Sequence, residues 1–577
     1  MRPRDLDAAT AIGNRREALV IAGATLLGML LRLYNLPRLG LVHFDEGIYA
    51  IAGLWPFRPA GLAGIDLSVI PYAPIGFPFL VGASNLALGP SDVSAILVSI
   101  AAGTLTIPAA AWLARRTYGL GAGGATAWIV ALSCFHIAFS RMALTDASFL
   151  LAWVVGLGLA GRFLDDPGII SAIGLGVAVG VAQLIKYNGW LLGAAVIAVA
   201  IGELVDPRSR SNRLRAGRLW GYGVAAAVVA ALIYAPWFRF VAAHGGYGAL
   251  LAHHRSYIGG PGTWLDHLGI QFEQADALSG GRGWQLAGCL AAVASACFVS
   301  PPSSRAEARK ALGIGLLVPP AVLLPRFLWA ASAVSLPAAW GGRPSSRLLG
   351  VAWLILSLLT PFYHPYARLW LPLQLLIWVQ VSGLMAAVLS RSRSHAPELA
   401  ASLSRYSRGM RLDVALHWLL LTVLLAPCLV RGPITAARSA GPGPWESTDS
   451  LKRAVRKSLE VIPSGVPGLR VLARPAIIYY LAGKVPVRVE PGLAGLLEAD
   501  RTGEWALVDA AQLDQEGDRK KAAASLLERW ELVREFPSSL SLPALLDRDP
   551  LASRRESIES MISVPLRLLR PRSPGSS

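Results

Sequence analysis

Runs of about 20 apolar residues, the length an α-helix needs to cross a bilayer, recur along the first three quarters of this chain. Nothing else in the sequence constrains the fold as strongly. In hydrocarbon every backbone N–H and C=O must be paired inside the segment, so spanning runs of this kind fold as helices. The runs lie near 17–36, 92–114, 119–140, 147–164, 169–185, 189–205, 218–240, 283–300, 348–364, 369–390 and 412–430. A further stretch, 311–341, is interrupted by Pro319, Pro320 and Pro325. Proline removes a backbone donor and kinks a helix, so this stretch reads as two short crossings and the total as about thirteen transmembrane helices. The expected fold class is mainly α, a polytopic membrane protein. Only 16% of residues are charged, against roughly 25% in soluble proteins. That excludes a soluble multidomain enzyme, a disordered chain and a disulfide scaffold. The four cysteines, Cys134, Cys289, Cys297 and Cys428, all sit inside apolar runs, without metal or disulfide spacing.

The net charge of +18 invites a nucleic-acid reading, but its distribution favours a membrane and no nucleic acid. Arginine concentrates in particular connections, as the positive-inside rule expects. The clusters are Arg2, Arg4, Arg15 and Arg16; Arg115 and Arg116; Arg208 to Arg218; Arg305, Arg309 and Lys310; Arg343 and Arg347; and Arg391 to Arg411. With these on the cytoplasmic side, 1–16 is a cytoplasmic N-terminus and 17–430 the transmembrane domain. Loops 37–91 and 241–282 then face outward, and 431–577 is extracytoplasmic. One connection objects, since it carries the acids Asp165 and Asp166. The first apolar run lacks a small-residue cleavage site and reads as an anchor.

Past residue 431 charge becomes frequent and long apolar runs stop. Short β-type runs at 470–472, 477–481, 485–489 and 505–508 alternate with helical patterns such as 519–530. That alternation predicts a small α/β domain. Arg567 to Ser577 reads as a disordered basic tail.

Four outer-face segments carry candidate chemistry. In the first outer loop, His43-Phe44-Asp45-Glu46-Gly47-Ile48-Tyr49 holds adjacent carboxylates near a low-dielectric boundary. Such a pair is costly unless it accepts hydrogen bonds or binds a cation; a pair of solvated loop acids is the plain alternative. Arg141-Met142-Ala143-Leu144-Thr145-Asp146 follows the third span. Asp146 reads either as a helix N-cap or as a second carboxylate beside Asp45. Lys186-Tyr187-Asn188-Gly189 carries the first lysine of the chain, at the outer end of a short apolar helix. It reads as a snorkelling side chain or as a compact point charge suited to phosphate. His364-Pro365-Tyr366-Ala367-Arg368 turns the chain between two spans, and an outward Arg368 breaks the positive-inside pattern. No P-loop, dinucleotide glycine signature or HExxH motif occurs. His253, His254 and His267 match no strong metal template, so metal binding stays unassigned and a divalent cation stays an open alternative.

Taken together, Phe44 to Ala50, Ala138 to Asp146, Lys186 to Gly189 and Tyr363 to Tyr366 resemble the membrane-embedded glycosyltransferases of the GT-C class. The resemblance points to family 39, the protein O-mannosyltransferase and lipid A aminoarabinose transferase group. It covers about 17–430. It implies transfer of a sugar from a polyprenyl-phosphate donor to a lipid, glycan or protein acceptor, on the outer face of a bacterial inner membrane. It also implies Asp45 as the loop aspartate. One departure matters: relatives often carry a basic residue before the proline pair of the first loop, whereas this chain reads Val69-Ile70-Pro71-Tyr72-Ala73-Pro74. Phosphate binding then rests on Lys186, Arg368 and Arg141. Tyr49, Tyr187, Asn188, His364 and Tyr366 are the expected substrate-binding residues, and Glu46 and Asp146 the supporting carboxylates. A phosphate leaving group needs no strong acid, only a base on the acceptor hydroxyl and a cation on the phosphate. A single displacement predicts inversion. The rival readings are a transporter of a lipid or small solute, and a non-catalytic scaffold.

Overall fold

The computed structural model describes residues 3–57, 73–205, 213–278, 282–299, 329–330, 332–333, 343–389, 449–498, 503–513, 519–552 and 563–572. They fall into two compact units. One comprises 1–34, 100–140 and 145–444, and the other 35–99, 141–144 and 445–577.

The first unit is helical. Among the described residues six helices are long and apolar enough to cross a membrane: Asp92–Tyr118, which begins in the second unit, Thr145–Asp165, Tyr187–Leu204, Leu214–Ala243, Pro344–Phe362 and Ala367–Ala386. A bent pair, Ala122–Leu132 and Cys134–Ser140, raises the number to seven. The thirteen expected spans are met to that extent. Of the remainder, the run at 17–36 lies within a helix, Pro3–Leu33, that carries Arg15, Arg16, Glu17 and Arg32. Those at 169–185 and 283–300 form the helices Ile169–Ile185 and Arg282–Val299. The crossing at 412–430 lies outside the described residues, as does nearly all of 311–341.

The expected single span 119–140 is corrected, because it breaks near Ser133 with a 63° bend. Carbonyls freed at the break find a donor. Arg32, fully buried, places its guanidinium 3.3 Å from both the Val130 and Ala131 oxygens and 2.5 Å from His136 Nδ1. Elsewhere, arginines from separate connections meet acids on neighbouring helices. Arg115 pairs with buried Glu17 at 3.2 Å, and Arg215 and Arg347 converge on Glu203 at 2.7 and 2.6 Å. Arg116 pairs with Asp165 at 3.2 Å. The acid that objected to the topology is thus the counter-ion of an arginine from another cluster.

The second unit contains a five-stranded sheet: β1 Leu469–Leu472, β2 Val487–Val489, β3 Trp505–Asp509, β4 Trp530–Phe536 and β5 Leu566–Pro571. The order is β2-β1-β3-β5-β4. β1 runs parallel to β2 and β3, while β5 is antiparallel to β3 and β4. Leu472, Val508, Leu526, Trp530 and Leu569 share one core cluster with Leu493 and Leu496.

Two expectations are overturned here. The run at 477–481 is not a strand but the helix Pro475–Leu481, with proline at its first position, where the missing N–H costs nothing. The basic stretch from Arg567 is ordered as β5, inside the sheet. Its leucines 566, 568 and 569 are fully buried. Its arginines make cross-strand pairs to β4, Arg567 with Glu535 at 2.6 Å and Arg570 with Glu531 at 2.7 Å. Residues 573–577 lie outside the described set.

Candidate active site

The acid pair opens the helix Phe44–Ala52, and local chemistry explains why a helix starts there. His43 is the N-cap: its Nδ1 accepts from the Asp45 backbone N–H at 3.0 Å. Glu46 reaches back, and its Oε2 accepts from the backbone N–H groups of Val42 and His43, both at 2.8 Å. This is a capping box with histidine in the serine position. The other Glu46 oxygen accepts from the Ala143 backbone N–H at 2.7 Å. Glu46 is 1% exposed. Burial pushes its carboxyl above the usual 4.5, while the three backbone donors and His43 pull it down. Glu46 therefore ties the acid loop to the 141–144 segment. That segment is buried throughout, including Arg141, and Leu144 O accepts from Ser99 Oγ at 3.1 Å. Asp45, by contrast, is only half-buried. Tyr49 is buried and meets Phe77 edge-on, with ring centroids 5.5 Å apart.

Sequence reasoning quoted His43 without giving it a role. The His43-x-x-Glu46 spacing was the available signal, since it is the spacing of a capping box. Also missed were Arg474, Tyr480 and Asp547, which hold residues 41–43 from far along the chain. Arg474 Nη1 donates to Val42 O at 2.6 Å, and Tyr480 Oη accepts from the Leu41 N–H at 2.7 Å. Asp547 Oδ2 stands 3.2 Å from His43 Nε2. No local pattern signals contacts across more than 400 residues.

In the first unit, Lys186 occupies the break between the helices Ile169–Ile185 and Trp190–Val205. Its backbone is extended, and Tyr187–Gly189 form a single 3-10 turn. Gly189 makes the turn possible, because a Cβ there would stand 2.2 Å from the Gln183 nitrogen. Lys186 Nζ lies 2.5 Å from Asp146 Oδ1, the two side chains being 18% and 2% exposed. Asp146 falls inside the first turn of Thr145–Asp165 rather than before it, so the N-cap reading gives way to an ion pair. A carboxylate in a first helical turn also meets the positive end of the helix dipole. The second Asp146 oxygen is buried with no hydrogen-bond partner among the described residues.

From Lys186's neighbour a run of rings leads to Arg368. Tyr187 accepts from Trp237 Nε1 at 3.1 Å and meets His254 edge-on at 6.2 Å. His254 Nδ1 lies 2.9 Å from Tyr363 Oη. The Tyr363 ring stands 6.4 Å from Tyr366, over which the Arg368 guanidinium sits at 5.1 Å. His364 packs against Tyr366 at 4.5 Å. The 241–282 segment is thereby stitched to the late turn. His364 N–H donates to Tyr257 O and Gly259 N–H to Phe362 O, both at 2.7 Å. Asn188 is exposed. Two histidines of the segment serve this stitching, His254 as above and His267, whose Nδ1 stands 2.9 Å from Pro361 O. No group of three or more His, Cys, Asp or Glu is arranged for a metal among the described residues.

The expected site residues thus sort by unit. Asp45, Glu46, Tyr49 and Arg141 lie in the second, and Asp146, Lys186, Tyr187, Asn188, His364, Tyr366 and Arg368 in the first.

Residues 72–238 match the model of the dolichyl-phosphate-mannose-protein mannosyltransferase family. In fold the chain is similar to the crystal structure of ArnT from Cupriavidus metallidurans bound to undecaprenyl phosphate. That likeness has a TM-score of 0.54 at 16% identity and covers 96% of this chain and 97% of that one. The apo state of the same protein aligns with a TM-score of 0.51 at 14% identity, over the same shares of both chains. Among curated proteins none matches the chain in sequence. The family model spans the 138–146 segment and Lys186, and the fold of the chain is shared with ArnT; both agree with the resemblance that these segments carry in the sequence.

Proposed function

We propose that the chain moves a sugar from a polyprenyl-phosphate carrier to an acceptor hydroxyl, on the extracytoplasmic side of a bacterial inner membrane. The observation that carries this reading is the Lys186–Asp146 pair at a helix break. An ammonium 18% exposed, held by one oxygen of a carboxylate, is a compact cation presented at the end of an apolar helix. A lipid-linked phosphate has its tail in the bilayer and its charge at the interface, and such a cation is suited to it.

Asp45 takes the proton of the acceptor hydroxyl as that oxygen attacks the anomeric carbon. The bond from that carbon to the phosphate oxygen breaks on the opposite face, and the polyprenyl monophosphate departs. Lys186, with Arg368 and Arg141, stabilises the charge that develops on the phosphate. One displacement inverts the anomeric configuration. Asp146 orients Lys186, and Glu46 holds the loop that carries Asp45. Tyr49, Tyr187, Asn188, His364 and Tyr366 contribute to substrate binding, and the acceptor is a lipid, glycan or protein.

The test is sugar transfer from a purified undecaprenyl-phosphate-linked donor by the reconstituted full chain. Asp45→Asn is expected to lower turnover by about 10²–10⁴-fold, the usual worth of a general base, with thermal stability unchanged. Turnover at the wild-type rate would remove Asp45 from the mechanism. Broken helices are also a habit of transporters, and both the bent pair at 122–140 and the Lys186 break qualify. Solute uptake into vesicles without any sugar transfer would favour that alternative.

A further inference from the structure

The segment 41–47, which carries Asp45, is gripped from the C-terminal part of its own unit at four places. Tyr480 Oη accepts from the Leu41 N–H at 2.7 Å and donates to Asp92 Oδ2 at 3.1 Å. Lys452 Nζ meets both oxygens of Asp92, at 2.9 and 2.8 Å. Arg474 Nη1 donates to Val42 O at 2.6 Å, and Arg474 Nε is itself fixed 2.6 Å from Asp509 Oδ2 at the end of β3. His43 Nε2 stands 3.2 Å from Asp547 Oδ2. Gly47 lies so close to the Pro475–Ala476 backbone that a Cβ would stand 2.0 Å from the Ala476 nitrogen. Val42 is therefore held at both of its backbone polar groups, its N–H by Glu46 and its C=O by Arg474.

These contacts do not resemble a surface that selects a substrate. Those of Tyr480, Arg474 and Asp547 are buried, reach mainly backbone atoms, and converge on the turn before Asp45. We propose that Arg474, oriented by Asp509, is a positioning residue for Asp45, and that the C-terminal sheet domain serves as the rigid mount of the acid loop. This rests on the assignment of Asp45 as the base. A misplacement of about 1 Å at a reacting group can cost 10²-fold in rate. Loss of the clamp should therefore lower kcat rather than donor affinity.

The experiment is a double-mutant cycle on the reconstituted full chain, reading kcat and donor KM. Arg474→Met is expected to lower kcat 10- to 100-fold, on that misplacement scale, with KM within about threefold. In an Asp45→Asn background the same change should have no further effect, because the two residues act through one group. Tyr480→Phe removes a single hydroxyl and should lower kcat by a smaller factor in the same pattern; it supplies the answer where Arg474→Met fails to fold. A wild-type kcat in a folded Arg474→Met or Tyr480→Phe protein overturns the positioning role. So does an equal fold-loss with and without Asp45. If Asp45→Asn alone keeps full turnover, the base assignment fails instead, and the cycle shows it separately.

Discussion

The two units handle their buried carboxylates in opposite ways. In the second unit Glu46 gives both oxygens to backbone N–H groups: three donors at 2.7–2.8 Å, none of them charged. In the membrane unit Asp146 gives one oxygen to an ammonium, and the other has no hydrogen-bond partner among the described residues. Backbone donors are fixed by the fold, so a carboxylate saturated by them is architecture. A carboxylate paired with a flexible lysine can exchange partners as charge changes nearby, which is what the proposed phosphate-binding role of Lys186 requires.

The comparison can be broken in three places. Lys186→Met would leave Asp146 buried without its counter-ion; removing one partner of a buried pair costs about 3–5 kcal/mol. Thermal denaturation should show that loss together with loss of sugar transfer. Adding Asp146→Asn should restore much of the stability and none of the transfer. Restored transfer would make the pair architectural, like Glu46.

Glu46→Gln should cost about 1–3 kcal/mol, because the amide nitrogen faces a backbone donor that then lacks an acceptor. The pH dependence sharpens this. The Glu46 carboxyl is raised above 4.5 in the fold, so the folded state holds the proton over a window where the unfolded state has released it. Stability from this group falls as pH rises through that window and is level above it. Melting temperatures between pH 4 and 8 should show the slope in the wild type and a flatter profile in Glu46→Gln. The smallest effect is expected from Tyr366→Leu, which removes the ring beneath Arg368. A half-exposed cation–π contact is worth about 0.5–1 kcal/mol, so donor KM should rise two- to fivefold, with kcat little changed.

The helical body was readable because burial in lipid leaves a long apolar imprint. Asp92–Tyr118 and Thr145–Asp165 lie within a few residues of the runs that announced them. The break at Ser133 left no such imprint: its run carries no proline or charged residue, and the residue that satisfies the freed carbonyls, Arg32, lies 98 residues away from Val130. In the sheet domain, β1 and β3 were legible from their apolar residues. The run 477–481 was equally apolar, yet the proline at 475 set a helix. The basic character of 566–571 hid a strand whose arginines pair with acids across to β4 while its leucines enter the core. The individual site residues were legible as chemistry, but which of them are satisfied locally and which are held from a distance was not. Glu46 and Asp146 look alike in sequence; only the fold separates them.

The clamp on Val42 comes from a residue 432 positions later, and that on Leu41 from one 439 later. During synthesis the acid loop follows the first apolar segment, long before its holders are made. Pairings so distant in sequence form slowly. The hydrogen bonds that hold the early loop can form only after the residues of the late sheet domain have been made, so the geometry of Asp45's turn is set late in the life of the chain.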